Sequence, residues 1–268
     1  MGILASVGRM TPRLLLVPAT LLLAVGACGG SGDATSSPQE SPTTAAQGFT
    51  GTTCADVVVV AVRGQEQSPD ANFGAGTELR LLATELTRRL QSPRDGGSDP
   101  TVRLESIDYE SDPPADLAAY DDAVATGADR LDARLDRLES ACPDSELVVA
   151  GFSMGAQVVH DGLHDRDPGT VAAVVMIADP QRDPVAPYDQ HSFGTAAPNP
   201  GGLGAGPAFG PLRDRTVAFC AAADDVCNHS PGTSRRAVDT VHKHFYEDPD
   251  HVAAMVDRIV PLLERRDS

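Results

Sequence analysis

The run Gly151-Phe152-Ser153-Met154-Gly155 sets a serine between two glycines, directly after the apolar stretch 147–150 and directly before the helical pattern 156–163. A strand turning sharply into a helix lifts a serine hydroxyl above a sheet, and glycines flank it because a Cβ there would clash. A serine hydroxyl is a weak nucleophile until an imidazole takes its proton. The imidazole in turn needs a carboxylate to fix its tautomer and stabilise its charged form. Both partners follow in chain order: Asp224 lies between Cys220 and Cys227, and His242 precedes the last helical pattern. Ser153, Asp224 and His242 together imply acyl transfer through a covalent serine intermediate. The imidazole must start neutral, so activity is expected to fall in acid.

Such residues act only where secondary structure gathers them. Residues 56–62 (DVVVVAV) form a continuous β-branched run, the pattern of a strand covered on both faces of a parallel sheet. Residues 77–91 carry Leu79, Leu82, Ala83, Leu86 and Leu90 at helical spacing. Strands are predicted at 102–109, 147–150, 171–178 and 216–220. Helices are predicted at 116–142, with Leu117, Tyr120 and Val124 on its apolar side, at 156–163 and at 251–264. This alternation predicts an α/β fold with a parallel sheet and right-handed crossovers. Residues 183–211, rich in Pro and Gly, are longer than an ordinary connection and read as a flap or a plain mobile loop.

Lys+Arg number 21 against Asp+Glu 38, a formal charge of -17, and Trp is absent. That balance excludes nucleic acid as an expected partner. Residues 1–27 read as an export signal, with Arg9 and Arg13 ahead of an apolar run too short to span a bilayer well. Val25-Gly26-Ala27-Cys28 resembles a bacterial lipobox, in which cleavage leaves the cysteine to carry acyl chains. Residues 28–53 are a Gly, Ser, Thr and Pro tether that cannot bury enough surface to order itself. The expectation is an exported envelope lipoprotein touching the membrane through Cys28, with plain secretion as the alternative, and a catalytic domain over 54–268. The four remaining cysteines of an exported chain imply two disulfides. They allow three pairings, and the short spacing favours Cys220 with Cys227, leaving Cys54 for Cys142. No CxxC pair supports a metal, no organic cofactor is called for, and a monomer is expected.

Three ordered motifs resemble the cutinases: Ala141-Cys142-Pro143 leading through Leu147-Val148-Val149-Ala150 to Gly151-Phe152-Ser153-Met154-Gly155-Ala156; Phe219-Cys220-Ala221-Ala222-Ala223-Asp224-Asp225-Val226-Cys227; and His242-Lys243-His244-Phe245-Tyr246-Glu247-Asp248-Pro249. The resemblance spans 54 to about 262. It implies an α/β-hydrolase with a central parallel five-stranded sheet, flanking helices and no large cap domain. It also implies the pairs Cys54–Cys142 and Cys220–Cys227, and a triad of Ser153, Asp224 and His242. Spacing to the cysteines prefers Asp224 over Asp225, and spacing to Tyr246 and the following Asp-Pro prefers His242 over His244. His160 and His229 are expected to be structural or exposed. Arg63-Gly64-Gln65 matches the place where cutinases supply one oxyanion-hole amide, so the N–H groups of Gln65 and Met154 would form the hole. Two positions depart from the pattern, since cutinases usually carry Ser or Thr at 65 and Gln at 154. The implied substrates are short- to medium-chain esters or lipids. The alternative is a catalytically impaired, surface-anchored binding protein on the same fold.

Overall fold

Alternating β-branched residues build both layers of the core at once. The computed structural model describes residues 53–92, 99–190, 198–230 and 235–264, so the export signal at 1–27, Cys28 and nearly all of the tether lie outside the described residues. Five parallel strands, β1 (Val57–Val62), β2 (Val102–Ser106), β3 (Glu146–Phe152), β4 (Val171–Ile177) and β5 (Thr216–Phe219), form one sheet in the order β2-β1-β3-β4-β5. Every residue of β1 and β4 is buried. Because side chains alternate between faces, Val57, Val59 and Ala61 pack with Leu79, Leu82 and Leu86 of α1 (Thr77–Leu90) and with Val252, Met255 and Ile259 of α5 (Pro249–Glu264). On the other face Val58, Val60 and Val62 pack with Leu131 and Leu135 of α2 (Leu117–Ala141) and with Val158 and Val159 of α3 (Met154–Leu163). The fold is α/β, as the sequence alternation predicts, with helices covering both faces of the sheet. Among the described residues no helix is long and apolar enough to cross a membrane.

Strand order reverses between β1 and β3, and their carboxyl ends open side by side, the place where open α/β sheets bind ligands. Several boundaries differ from the sequence expectation. β2 ends at Ser106, opposite Ala61; Tyr109 leaves the strand but stays buried and donates its hydroxyl proton to the Arg63 carbonyl at 2.7 Å. α2 is capped by Asp116, whose carboxylate accepts from the Ala119 N–H at 2.9 Å, yet Leu117 is 64% exposed: periodicity does not tell where the packed surface stops. A helix the sequence did not suggest, α4 (Arg235–His244), precedes a short 3-10 turn at 245–247 and α5. The described parts of 183–211 are laced to the body rather than free-standing. Arg182 reaches the Asn199 and Cys227 carbonyls and pairs with buried Asp189, Gly202 N–H donates to Val226, and Phe209 is buried.

Candidate active site

The turn from β3 into α3 is strained where a side chain must be presented. Ser153 has φ 55° and ψ -123°, a conformation costing about 1–3 kcal/mol outside glycine. The strain is held by the Ser153 N–H donating to Ile177 O at 2.9 Å and by close backbone approach on both sides. A Cβ at Gly151 would stand 2.4 Å from Gly155 O, and one at Gly155 2.1 Å from Val62 O. Ser153 occupies the helix N-cap but makes no capping bond with its side chain. Its Oγ instead lies 2.9 Å from His242 Nε2.

His242 is on α4, partly buried, with its ring stacked on Phe152 at 5.0 Å between centroids. Its Nδ1 lies 3.0 and 3.1 Å from the two carboxylate oxygens of Asp224. A carboxylate only accepts, so Nδ1 carries the proton and Nε2 of the neutral ring is left to accept from the serine hydroxyl. Asp224 is completely buried on the loop closed by the Cys220–Cys227 disulfide. It accepts further from the Val226 N–H at 3.0 Å and from the Tyr246 hydroxyl at 2.9 Å. Tyr246 in turn accepts from the Ala221 N–H at 2.8 Å. Burial first, then the charge of Asp224, pushes the Tyr246 hydroxyl well above the ordinary tyrosine value, so it stays a donor.

Gln65 follows β1 and Met154 opens α3, just beyond the ends of the two strands that flank the switch point. Among the described residues neither the Gln65 nor the Met154 N–H has a protein acceptor. The loop is framed by buried Arg63, which donates to Ser111 Oγ at 2.8 Å and to the carbonyls of Ile107 and Tyr109. Among the described residues no His, Cys, Asp and Glu cluster is arranged to hold a metal ion.

The Cutinase family model matches residues 53–256. The chain belongs to the cutinase family. Its class is that of the carboxylic ester hydrolases. It is similar to the cutinase of Botryotinia fuckeliana, with 26% identity over 178 residues, 65% of this chain and 70% of that one. It is also similar to carboxylesterase Culp1 of Mycobacterium tuberculosis, with 29% identity over 227 residues, 81% and 85% of the two chains. Among solved structures, the catalytic core domain of acetyl xylan esterase from Trichoderma reesei shares the fold with a TM-score of 0.56 at 21% identity, covering 77% of this chain and 99% of that one.

Within this cutinase-family domain the rival residues stand apart. His244 is exposed and faces Glu247 at 3.2 Å, Asp225 accepts from the Ser230 N–H and from half-exposed His229, and His160 is buried against Asp179 at 2.8 Å. The second disulfide joins Cys54 to Cys142, at the far end of β1 and α2. Sequence reasoning missed Glu78, a carboxylate only 2% exposed, and its partner Gln67. A signal existed: 78, 82 and 86 fall on one helical face, and that face is the buried one.

Proposed function

We propose that this cutinase-family domain is a serine esterase that cleaves short- to medium-chain carboxylic esters, lipids included, through an acyl-enzyme on Ser153. The observation that carries the reading is the unbroken line from Asp224 through His242 to the Ser153 hydroxyl, at 3.0 and 2.9 Å. His242 Nε2 takes the hydroxyl proton as Oγ attacks the ester carbonyl, and Asp224 stabilises the imidazolium. The Gln65 and Met154 N–H groups hold the oxyanion of the tetrahedral intermediate. His242 then gives its proton to the departing alcohol, and a water activated by the same ring releases the acid. The relatives' names, cutinase and carboxylesterase, have carboxylic ester cleavage in common. Export and an acylated Cys28 belong to the same proposal, supported by the basic-then-apolar start and the sequence Val25-Gly26-Ala27-Cys28.

Labelling with a fluorophosphonate tests the reading, because only an activated serine reacts rapidly. Wild type should lose activity as Ser153 is modified, and Ser153→Ala should neither label nor turn over. p-Nitrophenyl esters of increasing chain length then set the acyl preference. A wild type inert to both reagents would leave only a binding role on this fold.

A further inference from the structure

Among the described residues, the loop after β1 leaves an N–H with no protein acceptor between two peptides that are pinned. Ahead of it, Arg63 O accepts from the Tyr109 hydroxyl at 2.7 Å and Gly64 N–H donates to Gln67 Oε1 at 2.7 Å. Behind it, Glu66 N–H donates to Ser111 O at 2.7 Å. The amide between them belongs to Gln65. Gln67 bends back to reach Gly64 and is itself held, its Nε2 donating to Glu78 Oε2 at 2.6 Å.

A glutamine amide is nearly symmetric in shape, and what fixes its orientation is the partner it meets. The Gly64 N–H can only donate and so takes Oε1, which turns the NH2 end of Gln67 toward the Glu78 oxygen. The contact also requires the start of α1 to come close. Gly76 has φ +78°, and a Cβ there would lie 2.1 Å from Gln67 Oε1. Burying a carboxylate at the first turn of a helix, rather than leaving it in solvent where the helix dipole would still favour it, is costly; burial pushes the Glu78 carboxyl up while its hydrogen bonds pull it down. Stabilising the helix does not require that burial.

Resting on the esterase reading above, we infer that Gln67 and Glu78 are positioning residues for the oxyanion hole, a side-chain brace that aims the Gln65 N–H at the developing negative oxygen. The brace stands on the very loop where this chain departs from the Ser or Thr common among cutinases. A hole whose residue 65 brings no hydroxyl depends the more on the aim of its backbone amide.

The test compares wild type, Gln67→Leu, Glu78→Leu and Glu78→Gln on p-nitrophenyl butyrate, with inhibition by an aryl trifluoromethyl ketone, whose serine adduct carries an oxyanion. Losing an oxyanion donor outright costs about 10²–10³ in kcat, so a misaimed one should cost about tenfold. Gln67→Leu and Glu78→Leu should show that fall with KM held within about twofold, the mark of an interaction made in the transition state. Ketone affinity should fall by the same factor, and Glu78→Gln, which still offers an accepting oxygen, should recover most of the rate. Should Glu78→Leu not fold, Gln67→Leu decides alone, because that side chain is only partly buried. Unchanged kcat in Gln67→Leu, or a fall without the matching loss of ketone affinity, overturns the brace while leaving the esterase intact. A wild type that neither labels nor turns over sinks both.

Discussion

At the scale of single residues, the candidate triad depends on a hydroxyl that never meets substrate. Tyr246 is fully buried and its OH joins the Ala221 N–H to Asp224 Oδ2. Asp224 thus has its oxygens shared among His242, Tyr246 and the Val226 N–H, which leaves the carboxylate one orientation. Tyr246→Phe removes a hydrogen bond to a charged group, worth about 1.5–3 kcal/mol, and strands the Ala221 N–H. We expect kcat on p-nitrophenyl butyrate to fall about tenfold or more, with KM little changed. Asp224→Asn, which favours the wrong imidazole tautomer, should cost on the order of 10⁴-fold. His244→Ala should leave kcat near wild type, because that ring is exposed and faces Glu247. Equal losses at 242 and 244 would contradict the assignment.

At the scale of elements, what was legible in the sequence is what local periodicity encodes. The run of valines gave β1 and the 79-82-86 spacing gave α1, because burial on both faces or on one stripe leaves a pattern in neighbouring residues. The segment Arg235–His244 reads RRAVDTVHKH, with three apolar residues among charges, so nothing in it announces the helix that carries His242. Pairs distant in sequence were equally silent: Gln67 with Glu78, Arg182 with Asp189, His160 with Asp179. His160 pins α3 both to Asp179, just after β4, and to the 198–211 segment. His160 Nδ1 faces Asp179 at 2.8 Å and Nε2 faces the Pro207 carbonyl at 2.6 Å, with the ring stacked on Phe209. Burial opposes charging of His160, but the hydrogen bond and charge of Asp179, the Pro207 carbonyl and the charge of Asp161 outweigh it and hold the ring above the ordinary histidine value. A raised folded value means the contribution is complete below the unfolded value, about 6.5, and is lost as pH rises through the raised one. Stability from urea melts should therefore decline above pH 6.5 by up to about 1.4 kcal/mol per pH unit, and His160→Gln should flatten that decline. An identical slope in the variant would refute the pin.

At the scale of the whole molecule, the two disulfides do different work, and the difference separates stability from catalysis. Cys54–Cys142 spans 88 residues and ties the start of β1 to the end of α2, remote from the carboxyl ends of the strands where Ser153 and Gln65 sit. Cys220–Cys227 spans only 7 residues but encloses Asp224. In the chain-entropy model the long closure stabilises by about 4.5 kcal/mol and the short one by about 2.5 kcal/mol. Loop size alone therefore ranks the long bridge first for both properties. The geometry reverses that order for turnover: the short bridge holds the backbone that aims Asp224 at His242, whereas the long one touches no residue of the candidate site. The double variant Cys54→Ser/Cys142→Ser should show the larger drop in melting temperature and keep kcat near wild type at 25 °C. Cys220→Ser/Cys227→Ser should melt closer to wild type and lose most of its kcat. Calorimetric melts paired with p-nitrophenyl butyrate kinetics read both quantities, and a loss of kcat that simply tracks the loss of stability in the two variants would rule out a positioning role for the short bridge.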